Sequence, residues 1–328
     1  MSEIQPFAGT HPTDIVLNPI HEERIRQALR DALAPSTRVV YDGAIRHLRR
    51  WAESEGFTDP LSPISLASYL TSRVAEGRKI STITIALAAV RQHCLVLDVP
   101  DPGQNSALRR TVSGIRRQLA GNQVVKAHAI TTAELTRIVG GIDRTTNSGK
   151  RDTALLMVLY AGALRRSEAV SLLRGDVRIA SDGAILTLRR SKTDQLGEGA
   201  VIGVVRGTNH QTDPVGAIAR LIAARGPLSS EDPIFTAVSR GDRFLGSSPL
   251  SGRSVNRILQ ARAASVGLEI DNLTGHSGRA GHITTSALAG VPIDRIARTS
   301  RHKSLAVLAA YIRPATVLGD TSSSSLGL

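Results

Sequence analysis

A single cysteine, Cys94, stands among 328 residues. One thiol excludes a disulfide framework and every zinc site built on several cysteines. The 28 Asp and Glu residues are scattered, with no spacing that would gather metal ligands. His210 and Asp213, three apart in a polar stretch, read as a solvated loop. No P-loop and no dinucleotide fingerprint calls for ATP or NAD. The N-terminus, MSEIQPFAGT, lacks a basic start followed by an apolar core, so it is no secretory signal. The longest apolar run, residues 154–164, falls short of the roughly 20 residues a bilayer span needs. Aromatic residues amount to only 3 %. These absences predict a soluble, cytoplasmic protein with no membrane partner, no metal and no nucleotide cofactor.

What is abundant is arginine. Lys and Arg total 41 against 28 acids, a formal net charge of +13, and 36 of the 41 are Arg. The planar guanidinium fork suits phosphate oxygens, so an Arg-rich basic surplus points to a nucleic-acid partner. The surplus is shared along the chain: 16 bases against 12 acids in residues 1–126, and 25 against 16 in residues 127–328. At roughly 100–200 residues per domain, the length predicts two domains. Both are basic, so both are able to touch one polyanion.

The pattern divides the chain into a flexible leader (1–19), a helical domain (20–121), a linker (122–130), a second domain (131–319) and a disordered, serine-rich tail (320–328). In the first domain, helices are expected over residues 21–34, from Ser36 or Thr37 to Trp51, from Pro63 after the Ser62 cap, from Ser81 to Leu97, and from Asn105 to Leu119. Val40, Ala44, Leu48 and Trp51 form the expected apolar stripe of the second. The second domain opens with a helix capped by Thr131 or Thr132. It carries β-rich segments at 177–179, 184–190 and 200–205, read as a small antiparallel sheet. Helices resume near Thr212 and at 251–266, 274–289, 293–299 and 304–312, the last stopped by Pro314. The fold class is therefore mainly α with a small antiparallel sheet.

Taken one at a time, the chemically able residues of the second domain are ambiguous. Arg165 ends the apolar run in AGALRRSEAVSLL, where it either pairs with Glu168 at i+3 or faces a ligand anion. Lys192 lies where a strand enters a turn, a place for a solvated lysine. His276 and Arg279, in TGHSGRAGH, sit three apart near a helix start, where two N–H donors suit a phosphate. His302 follows in SRHKS, and Tyr311 in LAAYIRP reads alone as helix packing.

Together, in this order and spacing, Arg165 in an RxSE box, Lys192 after a strand, HxxR at 276–279, His302 and Tyr311 resemble the tyrosine recombinase (phage integrase) family. The likeness covers residues 20–313, with local matches to Cre-type enzymes in HSxR, in AGV before the last His, and in Tyr-Ile-Arg. The resemblance implies an all-helical N-terminal core-binding domain and a mixed α/β catalytic domain. It implies attack of Tyr311 on a DNA phosphodiester to give a 3′-phosphotyrosyl link. Arg165 and Arg279 would neutralise the phosphate, Lys192 would protonate the leaving 5′-oxygen, and His276 would take the tyrosine proton or donate to the phosphate. His302 would donate as well, and Glu168 would support Arg165. It further implies double-stranded DNA with an inverted-repeat site, a tetramer on two such sites, a Holliday junction, and packing of residues 314–319 on a neighbouring protomer. No accessory protein is legible. Arg78, Lys79, Arg91, Arg116 and Arg117 are candidate backbone contacts, and Arg253 a candidate guanine reader. Two other readings share parts of this pattern: a type IB topoisomerase-like relaxing enzyme, and a non-catalytic DNA-binding regulator. One residue departs from the family: Arg301 stands where Gly is usual, a steric cost if that position takes a positive φ.

Overall fold

In the computed structural model, the described residues are 19–121, 127–189, 199–302, 304–306, 308, 309 and 311. The leader, most of the expected linker, Lys192, and everything beyond Tyr311 (Val317, Leu318 and the serine tail among it) lie outside them. The chain divides into two units, Met1–Val124 and Val125–Leu328.

Among its described residues, the first unit is built from five α-helices: α1 (Pro19–Asp31), α2 (Pro35–Ser54), α3 (Pro63–Ala75), α4 (Ile80–Leu97) and α5 (Ser106–Leu119). Local chemistry sets their starts. Ser62 Oγ accepts from Ser65 N–H ahead of Pro63, and Asn105 Oδ1 accepts from the N–H groups of Ala107 and Leu108. Helix α2 begins earlier than its serine and threonine suggested. Pro35 takes the first position behind Ala34, which offers no side-chain cap, so Ser36 and Thr37 lie inside the first turn. Its buried stripe is Ile45, Leu48 and Ala52; Val40 is exposed. Helix α4 is apolar and long enough to cross a membrane by length and composition alone. It packs Ile83, Ala86, Ala89, Val90 and Cys94 into the core of this unit, against Leu66, Leu70, Leu108 and Ile115. Burial pushes the Cys94 thiol up to about 11, leaving it an inert apolar filler.

The second unit opens with α6 (Thr132–Gly140), started by a reciprocal capping box between Thr131 and Glu134. Then come α7 (Asn147–Ala161), α8 (Arg166–Val170), β1 (Val177–Ile179), β2 (Gly183–Leu188) and β3 (Ala200–Val205). These strands form one antiparallel sheet in the order β1-β2-β3. Next are α9 (Pro214–Arg225), β4 (Thr236–Val238), β5 (Phe244–Pro249), α10 (Gly252–Ala264), α11 (Ser277–Leu288) and α12 (Ile293–Ser300). Residues 305, 306, 308, 309 and 311 are again helical. The apolar run 154–164 forms the centre of the core, with Leu155, Leu164, Leu172, Leu186, Ile218 and Phe235 wholly buried.

Three further local expectations differ from the structure. The hairpin β4–β5 was not expected; its β5 is exposed almost throughout, and so lacks the alternation that marks a strand. Asp213 is not a solvated loop residue. It is buried and caps α9, accepting from Val215 and Gly216 N–H, while His210 is exposed. Helix α11 starts at Ser277 rather than Thr274, because Ser277 Oγ instead accepts from the Thr274 N–H in the preceding turn.

Candidate active site

The turn between α7 and α8 is the first wall of the site. Ala163 adopts φ 46, a left-handed conformation unusual for a residue with a Cβ, and this aims its carbonyl at the arginines. Arg165 precedes α8 and folds back on that helix. Its backbone N–H donates to Glu168 Oε2 at 2.7 Å and its Nη1 to Oε1 at 2.6 Å. Glu168 is almost fully buried. Burial works to raise its pKa, but Arg301 and then Arg165 overcome this and hold the carboxyl below the usual range, so it is ionised at neutral pH.

The second wall is the start of α11. Arg279, in its first turn, is only 3 % exposed and donates from Nη1 to the carbonyl of Ala163 at 2.7 Å. Burial first, then repulsion from Arg165 and Arg301, lowers its pKa to about 10, which leaves it cationic at neutral pH. His276 stands exposed at the position just before the same helix, where its side chain makes no cap and its backbone N–H donates to Thr274 Oγ1. The loop before it is pinned to α10 by Asn256 Oδ1, which accepts from Gly275 N–H at 2.8 Å, and by Gln260, which donates to Leu273 O.

The end of α12 closes the site. Ser300 Oγ spends its proton on Ile296 O at 2.6 Å, so at 2.8 Å it accepts from His302 Nδ1. That places the imidazole proton on Nδ1 and leaves a lone pair on Nε2. Arg279 Nη2 lies 3.3 Å from Nδ1 and 3.4 Å from Nε2. Burial, then Arg279, Arg165 and Arg301, lower the His302 pKa to about 4. The ring is therefore neutral at pH 7, and in this tautomer Nε2 accepts a hydrogen bond rather than donating one. Tyr311 stands beside it, ring centroids 5.8 Å apart, and packs on Ile283, Ile296 and Leu308.

Of the expected catalytic set, the structure thus gathers Arg165, Arg279, His302 and Tyr311, with the expected supporting residue Glu168 among them, and places His276 just ahead of the helix that carries Arg279. Lys192 lies outside the described residues. Arg301 takes φ 56, the positive value that its departure from Gly raised as a question, and its side chain joins the cluster through Glu168. Three supporting residues were missed: Ala163, Asn256 and Ser300. Ala163 acts through its backbone conformation, Asn256 through a partner 19 residues away and Ser300 through the neighbouring His302, and none of the three belongs to a motif that the sequence singled out. Among the described residues, no group of three His, Cys, Asp or Glu side chains is arranged to hold a metal ion. Arg253 is exposed in the first turn of α10; Arg78, Lys79, Arg91, Arg116 and Arg117 are exposed on the first unit.

The sequence model described as the Phage integrase family matches residues 128–316. An integrase/recombinase XerD homolog of Selenomonas ruminantium is 28 % identical over 276 residues, 83 % of this chain and 80 % of its own length. The tyrosine recombinase XerC of Nitrobacter winogradskyi is 26 % identical over 298 residues, covering 85 % and 84 %. Two solved structures share the fold. One is the Tn1549 transposon integrase in complex with transposon right-end DNA (TM-score 0.59, 14 % identity, 94 % of this chain and 98 % of that one). The other is the XerH site-specific recombinase bound to a palindromic difH substrate (TM-score 0.57, 15 % identity, 81 % and 72 %).

Proposed function

The chain belongs to the phage integrase family, and from that premise we infer a site-specific DNA recombinase of the tyrosine class with Tyr311 as its nucleophile. One observation supports this assignment of roles most. Three buried or half-buried arginines, one ionised glutamate and a neutral histidine converge beside a single tyrosine at the end of the second unit's core.

The difficulty of the reaction is charge. A phenol with an ordinary pKa near 10 must attack a phosphodiester while negative charge grows on the non-bridging oxygens. Fixed cations in a site sheltered from water answer that growth without reorganisation. Arg279 is held by the Ala163 carbonyl and Arg165 by Glu168, so both guanidiniums are oriented before DNA arrives. In the cleavage step the Tyr311 oxygen bonds to phosphorus and the bond from phosphorus to the 5′-oxygen breaks. The phenol proton passes to His276, and Lys192 returns a proton to the 5′-oxygen. The 3′-phosphotyrosyl link conserves the bond energy, so rejoining by a 5′-hydroxyl needs no ATP, and the guanidiniums take the charge-neutralising role that a metal would otherwise fill.

Four protomers on two inverted-repeat sites exchange one strand pair, pass through a Holliday junction and exchange the other. Both basic halves of the chain contact the duplex, with Arg253 reading a base edge and Arg78, Lys79, Arg91, Arg116 and Arg117 on phosphates. The protein works in the cytoplasm, on DNA.

Selection of bound duplexes from a random pool, followed by incubation with a supercoiled plasmid carrying two copies of the selected site, tests this. The expected result is an inverted repeat around a short spacer and recombinant plasmids that form equally in EDTA. Relaxation of any plasmid without recombinants would support the topoisomerase-like reading. Binding with no strand breakage would support the regulator, and recombination abolished by EDTA would remove the metal-free mechanism.

A further inference from the structure

Arg301 is the third arginine of the site and the one for which a position normally given to Gly has been used. It ends α12 at φ 56 and ψ 43, where a helix C-terminus ordinarily takes Gly because a Cβ is strained there. A strained backbone retained beside a reactive centre points to a use for the side chain.

That side chain reaches back across the site. Arg301 Nη2 donates to Glu168 Oε2 at 2.6 Å and lies 3.3 Å from the Ala163 carbonyl oxygen; Nη1 donates to Thr299 O at 2.7 Å. The Arg301 side chain is 11 % exposed and that of Glu168 1 %. Glu168 is thus shared: Oε1 with Arg165, Oε2 with Arg301 and the Arg165 backbone N–H. Ala163 O is shared too, by Arg279 and Arg301. Two guanidiniums therefore meet one carboxylate, and one of them, Arg301, also meets Arg279 at the Ala163 carbonyl. Without Arg301, Glu168 would be balanced by Arg165 alone, and the cation proposed to meet the phosphate would be spent inside the protein.

We propose that Arg301 is a positioning residue for strand cleavage: by taking half of Glu168 it leaves Arg165 with uncompensated positive charge towards the scissile phosphate, and it ties the end of α12, which leads to His302 and Tyr311, to the turn that holds Arg165 and Arg279. This rests on the recombinase reading above. The property required of position 301 is a cation, in spite of the backbone rather than because of it.

Charge and backbone fit rank substitutions in opposite orders, which makes the test discriminating. Arg301→Lys keeps the charge and the strain, Arg301→Gln keeps the strain and loses the charge, and Arg301→Gly loses the charge and relieves the strain. Each full-length variant is assayed for covalent adduct on a nicked duplex of the selected site, at saturating protein, alongside its thermal midpoint. Cleavage is expected to fall roughly 10- to 100-fold in Arg301→Gln and Arg301→Gly, with Arg301→Lys recovering most of the rate. Thermal midpoints should not follow that order, Gly being the residue that suits φ 56. Cleavage by Arg301→Gly equal to or faster than that of Arg301→Lys would overturn the proposal, as would wild-type rates in all three. Failure of the underlying reading looks different: wild-type protein itself then forms no adduct, and the proposal falls with it.

Discussion

Arg279 and Arg165 carry the chemistry proposed here in different ways, and each has a measurable weight. Arg279 is buried against the Ala163 carbonyl, so its truncation removes a pre-oriented cation and leaves that carbonyl short of a donor. Arg165→Ala removes one cation and returns Glu168 wholly to Arg301. Either change is expected to slow formation of the covalent adduct by two to three orders of magnitude, about 3–4 kcal/mol at 1.36 kcal/mol per tenfold, while gel-shift binding of the site persists. His302 gives a pH signature. Its pKa in the folded protein, about 4, lies below the ordinary histidine value of 6.5, so the unfolded chain takes up its proton first on acidification. The stability it contributes is complete above pH 6.5 and drains away as pH falls towards 4. His282, also depressed by burial, adds the same sign. The thermal midpoint should therefore fall between pH 7 and 4, and His302→Gln should shallow that fall; a midpoint that rises on acidification would contradict the buried, neutral ring. The residues of this cluster stood out in the sequence only through the resemblance to a family, since each of them alone had an ordinary structural reading. The neutrality of His302 was not legible there, since it depends on the partial burial of the ring and on Arg279, Arg165 and Arg301 around it. Arg301 stood between these cases: its departure from Gly was visible, but not the partner 133 residues away that explains it.

At the scale of elements, α11 shows how closely the site depends on backbone approach. Gly281 lies where the helix passes the backbone of Ile130, and a Cβ there would fall 2.0 Å from the Ile130 carbonyl oxygen. Ile130 N–H donates to Ser277 O at 3.2 Å in the same contact, so α11 has no room to slide. Gly281→Ala is expected to lower stability by about 1–3 kcal/mol and to reduce cleavage by displacing Arg279. Gly43→Ala, in α2 with nothing within 4 Å of the added Cβ, serves as the control and should stabilise by up to about 1 kcal/mol. Equal midpoints for the two variants would refute the close-packing argument. Helices whose caps and apolar spacing agree, such as α3 and α5, were readable to within a residue or two, as were β1 and β3. The hairpin β4–β5 was not, because its purpose is tertiary: Asp242, at φ 56 in its turn, accepts from the N–H groups of Asn147 and Ser148 and so caps α7 from 95 residues away.

For the whole molecule, the relevant quantity is the charge of both units. With 36 arginines and a net charge of +13, affinity for DNA should rest largely on phosphate contacts and counterion release. A plot of log affinity against log salt is expected to be linear with a slope of about −0.9 per phosphate neutralised. Replacing exposed Arg116 and Arg117 together by Ala should make that slope shallower by about two such contacts without changing the sequence preference; an unchanged slope would place both side chains away from DNA. Length and pattern predicted two domains and composition a basic surplus in each, whereas no single segment announced which helices would meet around Tyr311.

The most direct measurement of the central claim is covalent capture. Tyr69 is buried with its hydroxyl on His47, and the Tyr160 hydroxyl is engaged with Thr132 and Thr285. Tyr41 belongs to the core of the first unit. Tyr311 alone of the four adjoins the arginine cluster, through His302. Wild-type protein and Tyr311→Phe, which preserves the packing on Leu308, are incubated with a nicked duplex of the selected site, where release of a short fragment prevents rejoining. The account predicts a wild-type protein–DNA adduct that withstands denaturation and maps to Tyr311, and none from Tyr311→Phe although that variant still binds the duplex. An adduct formed by Tyr311→Phe, or one that maps to another residue, would contradict it.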